Sequence, residues 1–242
     1  MSISNLPQEP IKNHILAALS SAEYQRLIAH LEPVEFEIKQ VLYKVGEPIT
    51  HVYFPHQAII SLVSILEDGT SVEAGIVSNE GMVGLPVIWG SNTTTTTALV
   101  QVADGGMRMK AMPLLTEFNR GSELQSLLLR YTQILFTQVT QTAVCNRVHT
   151  IEERLARWLL IVSDNMQSDK FLLTQEFIGE MLGCRRSGVT VAASILSRAG
   201  IITYKRGNIA ILDRKHLEDA SCECYSIIKN ESARLLTKKS KL

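Results

Sequence analysis

Residues Leu172 to Asp213 read LLTQEFIGEMLGCRRSGVTVAASILSRAGIITYKRGNIAILD, and this stretch decides the fold. Thr174 can cap a first helix, its hydroxyl accepting an orphan backbone N–H, and Glu176 places negative charge at the positive end of the dipole. Phe177, Ile178, Met181 and Leu182 recur at helical spacing, and Gly183 permits the conformation that stops the helix. A second helix opens at Arg185 and Arg186. Its buried side is expected to carry Val189, Ala192, Ala193, Ile195, Leu196 and Ala199. Arg185, Arg186, Ser187, Gly188, Thr190, Val191 and Ser194 then fall at its exposed start or on the opposite face. A two-strand ribbon follows, turning at Lys205-Arg206-Gly207-Asn208. The outline is a helix-turn-helix with a wing, its second helix narrow enough at its start to enter a DNA major groove about 12 Å wide.

Two helices joined by a glycine turn also occur in all-α cores, so charge placement has to decide. From Arg185 to Lys215 there are seven Lys or Arg and one acid, Asp213. A basic stripe over a helix start and a hairpin tip is what phosphate neutralisation requires. The formal net charge of zero conceals the same asymmetry: residues 1–149 hold 9 basic and 13 acidic residues, and 150–242 hold 15 and 11. Only the second part suits a polyanion.

Outward from this stretch, the 242 residues suffice for two ordinary domains, and 45% hydrophobic with 20% charged residues is the composition of a soluble globular chain. No apolar run reaches the roughly 18 residues of a membrane span, and MSISNLPQEP lacks the regions of a signal peptide, so a cytoplasmic location without membrane partners is expected. Asn13 to Leu31 is helical, with a restart at the capping pair Ser20 and Glu23. From Val34 to Met112 the period changes to short β-rich runs, Val52 to Phe54, Ile59 to Leu66, Val72 to Val77, Leu99 to Val102 and Met107 to Met109. Turn signals separate them, which predicts an antiparallel β-sandwich or jelly roll. Thr93 to Thr97 reads as a loop running into a strand.

Pro113 to Asn119 is a short helix broken at Gly121, after which Ser122 caps a helix of about 28 residues, roughly 42 Å long. Leu124, Leu128, Tyr131, Leu135, Gln138 and Thr142 follow a 4-3 spacing on it and are assigned to a dimer seam; Leu127, Ile134 and Val148 lie on a neighbouring face, and a long buried core helix is the other reading. Thr150 with Glu153 makes a second capping box, hence a hinge and a domain boundary. Asp213 can cap a last helix through Leu217 and Tyr225, and Lys238 to Lys241 is a tail with at most auxiliary phosphate contact. The domains are therefore expected at 1–121 (sensor), 122–149 (dimerisation helix) and 150–242 (winged helix-turn-helix), an α+β chain overall.

No catalytic constellation is present: His51 and His56 have no second ligand pair for a cupin-like metal site, and no nucleophile elbow or phosphate loop occurs. Cys145, Cys184, Cys222 and Cys224 read as reduced thiols. Cys222-Glu-Cys224 supplies two metal ligands of the four needed, and the other cysteines lie in separate elements, so no metal and no cofactor are expected.

The element order, together with TQEFIGEMLGCRRSGVTVAASIL, resembles the Crp/Fnr family of bacterial transcription regulators. The resemblance covers essentially the whole chain and is strongest from Thr150 to Asp213. It implies a cyclic-nucleotide-binding-like sensor and a homodimer paired through the long helix, on a two-fold symmetric double-stranded DNA site. It makes Thr174 and Gln175 backbone-contacting, Arg186 guanine-reading, and Lys205 with Arg206 the wing's phosphate contact. RNA polymerase would be a further partner of an activator. The chain departs from the family where an acid commonly follows the reading arginine and another arginine comes four positions later: these positions are Ser187 and Val191, so the half-site should differ. The sensor departs too. Cyclic-nucleotide-binding members place Gly-Glu and Arg-Ser on ribose and phosphate, whereas this chain has Gly84-Leu85 and Thr96-Thr97, so the resemblance does not extend to ordinary cyclic AMP binding. Residues 1–144 contain no cysteine for the family's iron-sulfur mode. Gly84, Leu85, Thr96, Thr97, Val139 and Thr140 are the candidate effector pocket. The alternative function is a β-sandwich small-molecule-binding or metal-dependent enzymatic module whose C-terminal domain mediates protein contacts; bound metal or turnover without DNA retention would mark it.

Overall fold

Thr150 divides the chain. In the computed structural model, which describes residues 11–237, the Thr150 hydroxyl accepts the Glu153 N–H at 3.3 Å while the Glu153 carboxylate accepts the Thr150 N–H at 2.8 Å. This complete capping box opens a helix directly after another has ended at an extended His149. The expectations for MSISNLPQEP and for the basic tail at 238–241 lie outside the described residues.

Before Thr150, α1 (His14–Ala17) and α2 (Ser21–Ile28) precede a set of antiparallel strands. These are β1 (Glu32–Glu35), β2 (Val41–Tyr43), β3 (His51–Pro55), β4 (Ile59–Ile65), β5 (Ser71–Val77), β6 (Thr97–Val102) and β7 (Gly105–Lys110), with a 3₁₀ turn at Leu85–Trp89. They form one sheet in the order β2-β6-β4-β5 and another in the order β1-β7-β3. The short strand β2 lies outside the β-rich runs read from sequence. Then come α3 (Ala111–Phe118) and the long α4 (Glu123–Val148). Ser122 occupies the N-cap position of α4 but makes no cap bond; the Glu23 carboxylate of α2 accepts the Leu124 N–H instead. Glu23 is therefore bonded to its own helix's Ser20 and to a helix about a hundred residues downstream.

After Thr150, α5 (Ile151–Met166) leads to β8 (Lys170–Leu172), α6 (Gln175–Leu182), α7 (Arg186–Arg198), β9 (Ile202–Lys205), β10 (Asn208–Ile211), α8 (Arg214–Ala220) and α9 (Cys224–Thr237). The ribbon is a three-stranded sheet, β8-β10-β9, rather than two strands. The expected single last helix is broken at Ser221–Cys222, where the backbone turns extended, and α9 runs back along α4, with Gln133 donating to Glu231 at 2.9 Å. Leu235 is buried in the sensor core.

β4 carries apolar residues on both of its faces because both are covered. Ile60 joins the sensor core, with Leu62 packed against it, while Ile59 and Val63 join Trp158, Leu159 and Ile178 in a second core. A strand with one wet face would alternate; this one does not need to. The second core is the junction between the two halves of the chain. At it, the Trp158 indole donates to Glu73 Oε1 of β5 at 3.1 Å, and Arg154 donates to the Leu182 carbonyl at the end of α6.

Candidate nucleic-acid interface

Gly183 ends α6 in the left-handed region at φ 59°, and the Cys184 N–H returns to the Gly179 carbonyl at 2.9 Å. A Cβ at Gly183 would stand 3.0 Å from Val72 Cγ2 of β5, so the turn rests directly on the sensor sheet and a side chain would disturb both its conformation and its docking. The following helix, α7, starts at Arg186 with Arg185 as a cap residue that forms no side-chain cap bond. No side chain caps its first turn, where the Gly188 N–H donates to the Arg185 carbonyl at 2.9 Å, and an uncapped helix start is the arrangement that favours an anion such as a phosphate.

Arg185, Arg186, Ser187, Thr190, Val191 and Ser194 are exposed, as expected. Gly188 is not part of that surface: a Cβ there would meet Ile151 Cδ1 at 2.8 Å, so its smallness serves the approach of α5 to α7. Ile195 and Ala199, assigned to the buried side, are exposed instead, because Val189, Ala192, Ala193 and Leu196 already cover the core. Thr174 caps α6 through the Phe177 N–H at 3.2 Å, and Gln175 Oε1 accepts the Thr190 hydroxyl at 2.7 Å. This contact ties the start of α6 to the exposed face of α7.

The wing turns tightly. Lys205 pairs with Asn208 across the ribbon, and Arg206 and Gly207 have φ 50° and 84°, the two positive values of a two-residue type I′ hairpin. Lys205 and Arg206 are exposed at its tip. Tyr204 donates to the Leu173 carbonyl at 2.7 Å and so anchors the wing to the approach of α6. Burial pushes the Tyr204 phenol up to about 12, with the Arg186 guanidinium pulling the other way.

The long helix α4 does not present the expected seam. Leu124, Leu128, Tyr131, Leu135 and Gln138 are all buried within the chain, Thr142 is half-buried, and Gln138 Oε1 accepts the Ile76 N–H of β5 at 2.6 Å. Leu127 and Ile134 of the neighbouring face also turn inward, because β5 and α9 flank the helix together, whereas Val148 at its end is 64% exposed. The outward apolar stripe is Leu129, Phe136 and Val139, with Phe136 71% exposed.

A cavity of about 230 Å³ brings together Gly84, Leu85, Thr96 and Val139. Thr97 is buried at the start of β6, opposite Val63, and Thr140 points to solvent, its hydroxyl donating to the Phe136 carbonyl, so neither joins it. Tyr43, Trp89 and Leu135 complete its wall, and no charged side chain lines it. Such a lining suits a small neutral ligand and offers a phosphate no charged partner among the described residues. A second cavity, about 360 Å³ and not foreseen from sequence, is lined by Glu80, Tyr131, Gln138, Asp164, Tyr225 and Lys229. Burial raises the Glu80 carboxyl there to about 7.

His51 lies 3.0 Å from the Thr50 hydroxyl and joins no ligand cluster among the described residues. The cysteines correct the sequence reading. Cys145 and His149 at the end of α4 meet Cys222 and Cys224 at the α8–α9 junction, and one ligand atom from each lies within 4.8 Å of the others. Separation along the chain concealed the group; the i, i+4 spacing of Cys145 and His149 on one helix face was the available signal.

A family model of the Crp-like helix-turn-helix domain matches residues 153–220. No curated protein matches the chain. Among solved structures, the chain is similar to FixK2 from Bradyrhizobium japonicum, with TM-score 0.69, 18% identity, and 79% of this chain and 98% of that one covered. It is similar to the c-di-GMP responsive global regulator CLP of Xanthomonas campestris, with TM-score 0.66, 13% identity, and coverage of 79% and 99%. A Crp/Fnr-family transcriptional regulator from Thermus thermophilus follows, with TM-score 0.64, 20% identity, and coverage of 78% and 98%. These likenesses are likenesses of fold; the domain match shows that residues 153–220 form a Crp-like helix-turn-helix domain, carried at the C-terminal end of a chain whose fold is that of Crp/Fnr-type regulators.

Proposed function

We propose that the chain is a homodimeric, sequence-specific transcription regulator that binds a palindromic double-stranded operator and carries no catalytic activity. The observation that carries this reading is the uncapped, exposed start of α7 with Arg185 and Arg186, on a helix packed against a wing tipped by the exposed Lys205 and Arg206. Arg186 is assigned to a guanine edge, and the wing with Thr174 and Gln175 to phosphates. Val191, 59% exposed where a second arginine is common in the family, offers a methyl surface suited to thymine rather than a charged fork. The sensor, 1–121, would respond to a neutral ligand touching Val139, and the exposed stripe of α4 would pair with its copy. No described helix is long and apolar enough to cross a membrane; we place the protein in the cytoplasm, with RNA polymerase as a further partner if it activates.

Selection of bound duplexes from a random pool at fixed salt, followed by sequencing, tests specificity and half-site spacing together. Arg186→Ala is expected to lose about 1–3 kcal/mol, roughly 5- to 150-fold in affinity, and to relax one base position in each half-site. Equal affinity for every duplex, unchanged in that variant, would sink the proposal.

A further inference from the structure

The group formed by Cys145, His149, Cys222 and Cys224 has a composition and spacing that thiols meeting by chance would not share. Its three sulfurs are buried, and the Cys145 and Cys222 sulfurs stand 3.5 Å apart. Cys224 Sγ lies 3.8 Å from His149 Nδ1. A tetrahedral zinc with bonds of about 2.3 Å to sulfur sets its ligand sulfurs roughly 3.8 Å apart. The side chains already stand near the edges of that tetrahedron.

The surroundings are those of a metal site as well. His149 turns Nδ1 toward the sulfurs while Nε2 lies 3.2 Å from the Glu223 carboxylate. Metal-bound histidines are commonly held in this way, the second ring N–H donating to a carboxylate that fixes the tautomer and the ring plane. Three thiolates and one zinc carry a net charge of −1, and the buried Arg157 acts on both Cys145 and Cys224. Its Nε has no hydrogen-bond partner among the described residues.

We propose that Cys145, His149, Cys222 and Cys224 bind one zinc ion in a closed Cys₃His site, with His149 Nδ1 as the nitrogen ligand and Glu223 holding Nε2–H. On binding, the three thiols release their protons and four coordinate bonds form, with no change of oxidation state. Two ligands come from the last turns of α4 and two from the break between α8 and α9, so the ion clamps the residues on either side of the Thr150 hinge. That gives the break at Ser221–Cys222 a purpose: it brings a Cys-x-Cys pair onto the end of α4. The site is independent of the DNA-binding reading and is measured without DNA.

The experiment uses the full chain, purified under reducing conditions, stripped with a chelator and titrated with Zn²⁺ and with Co²⁺. Elemental analysis of the purified protein should give about one zinc per chain, and cobalt should produce thiolate charge-transfer and tetrahedral d–d bands. The double variant Cys222→Ser/Cys224→Ser should lose the zinc, whereas Cys184→Ser should keep it. Glu223→Gln, which alters no ligand and lies on an exposed residue, should keep the stoichiometry but bind zinc about 10- to 100-fold more weakly against a competing chelator. A reduced, folded wild-type chain that takes up no zinc overturns the proposal, as does zinc held equally by the double variant. A Cys145–Cys222 disulfide in metal-free protein, or an iron chromophore instead of zinc, overturns it in favour of a redox site.

Discussion

A Phe136→Glu protein is expected to sediment as a monomer and to bind its operator about 10²- to 10⁴-fold more weakly than the parent, because two half-site modules that are no longer linked lose their effective concentration. Phe136 is 71% exposed on α4, in line with Leu129 and beside Val139. The opposite face of α4 is occupied by β5, α9 and the N-terminal core, so this stripe, with Val144 and Val148 beyond it, is apolar surface the helix has left to offer a second copy. On a two-fold axis one glutamate would face its copy, placing two carboxylates where apolar contact is needed. In the monomer the same side chain points into water, where substitutions usually stay within about 0.5 kcal/mol, so folding should be unaffected. Analytical ultracentrifugation with a thermal melt separates these effects. A variant that remains a dimer would remove α4 from the interface. Leu124→Ala, by contrast, should lower stability without acting specifically on assembly, since Leu124 lies in the chain's own core.

The second large effect is expected at Glu73, with a sign opposite to that of most core substitutions. Burial lifts its carboxyl from an ordinary 4.5 to about 7, and the hydrogen bonds from Ser61 and Trp158 and the charge of Arg157 offset only part of that rise. The folded chain therefore holds this proton more tightly than the unfolded chain. The stability it contributes is complete below about pH 4.5 and is lost as pH rises through about 7. A shift of that size is worth about 3 kcal/mol. Glu73→Gln keeps the shape, can accept the Trp158 indole through Oε1, and cannot ionise. It should melt about 6–10 °C above the parent near pH 8, with the difference shrinking toward pH 5. A variant destabilised near pH 8, with the loss fading as the pH falls, would show instead that Glu73 works as a carboxylate. The residue sits where β5 meets α5, in the core shared by the two halves of the chain.

The helix-turn-helix was legible because its information is local. Thr174, Gly183, the Arg206-Gly207 turn and the Thr150–Glu153 box each act on neighbours a few residues away, and each does in the fold what its type and spacing require. The β-runs were legible for the same reason, since alternation and turn residues are short-range signals. Ser122 shows where this fails: a cap residue by type, it is displaced by Glu23, whose reach across α2 and α4 no local pattern contains.

The sequence alone determined most element types, the order of sandwich, long helix and winged helix-turn-helix, and the exposed arginines of α7, though not β2, the third strand β8 or the break between α8 and α9. It could do so because periodicity, capping and turn chemistry are written within a few residues. Only the tertiary structure decided which face of α4 is free, since that depends on β5 and a returning α9 both packing on one helix. It alone showed that a neutral cavity gathers Gly84, Leu85, Thr96 and Val139, and that the ends of α4 and α8 bring three cysteines and a histidine within ligand distance. These are contacts between residues far apart in the chain, and they exist only once the chain has closed on itself.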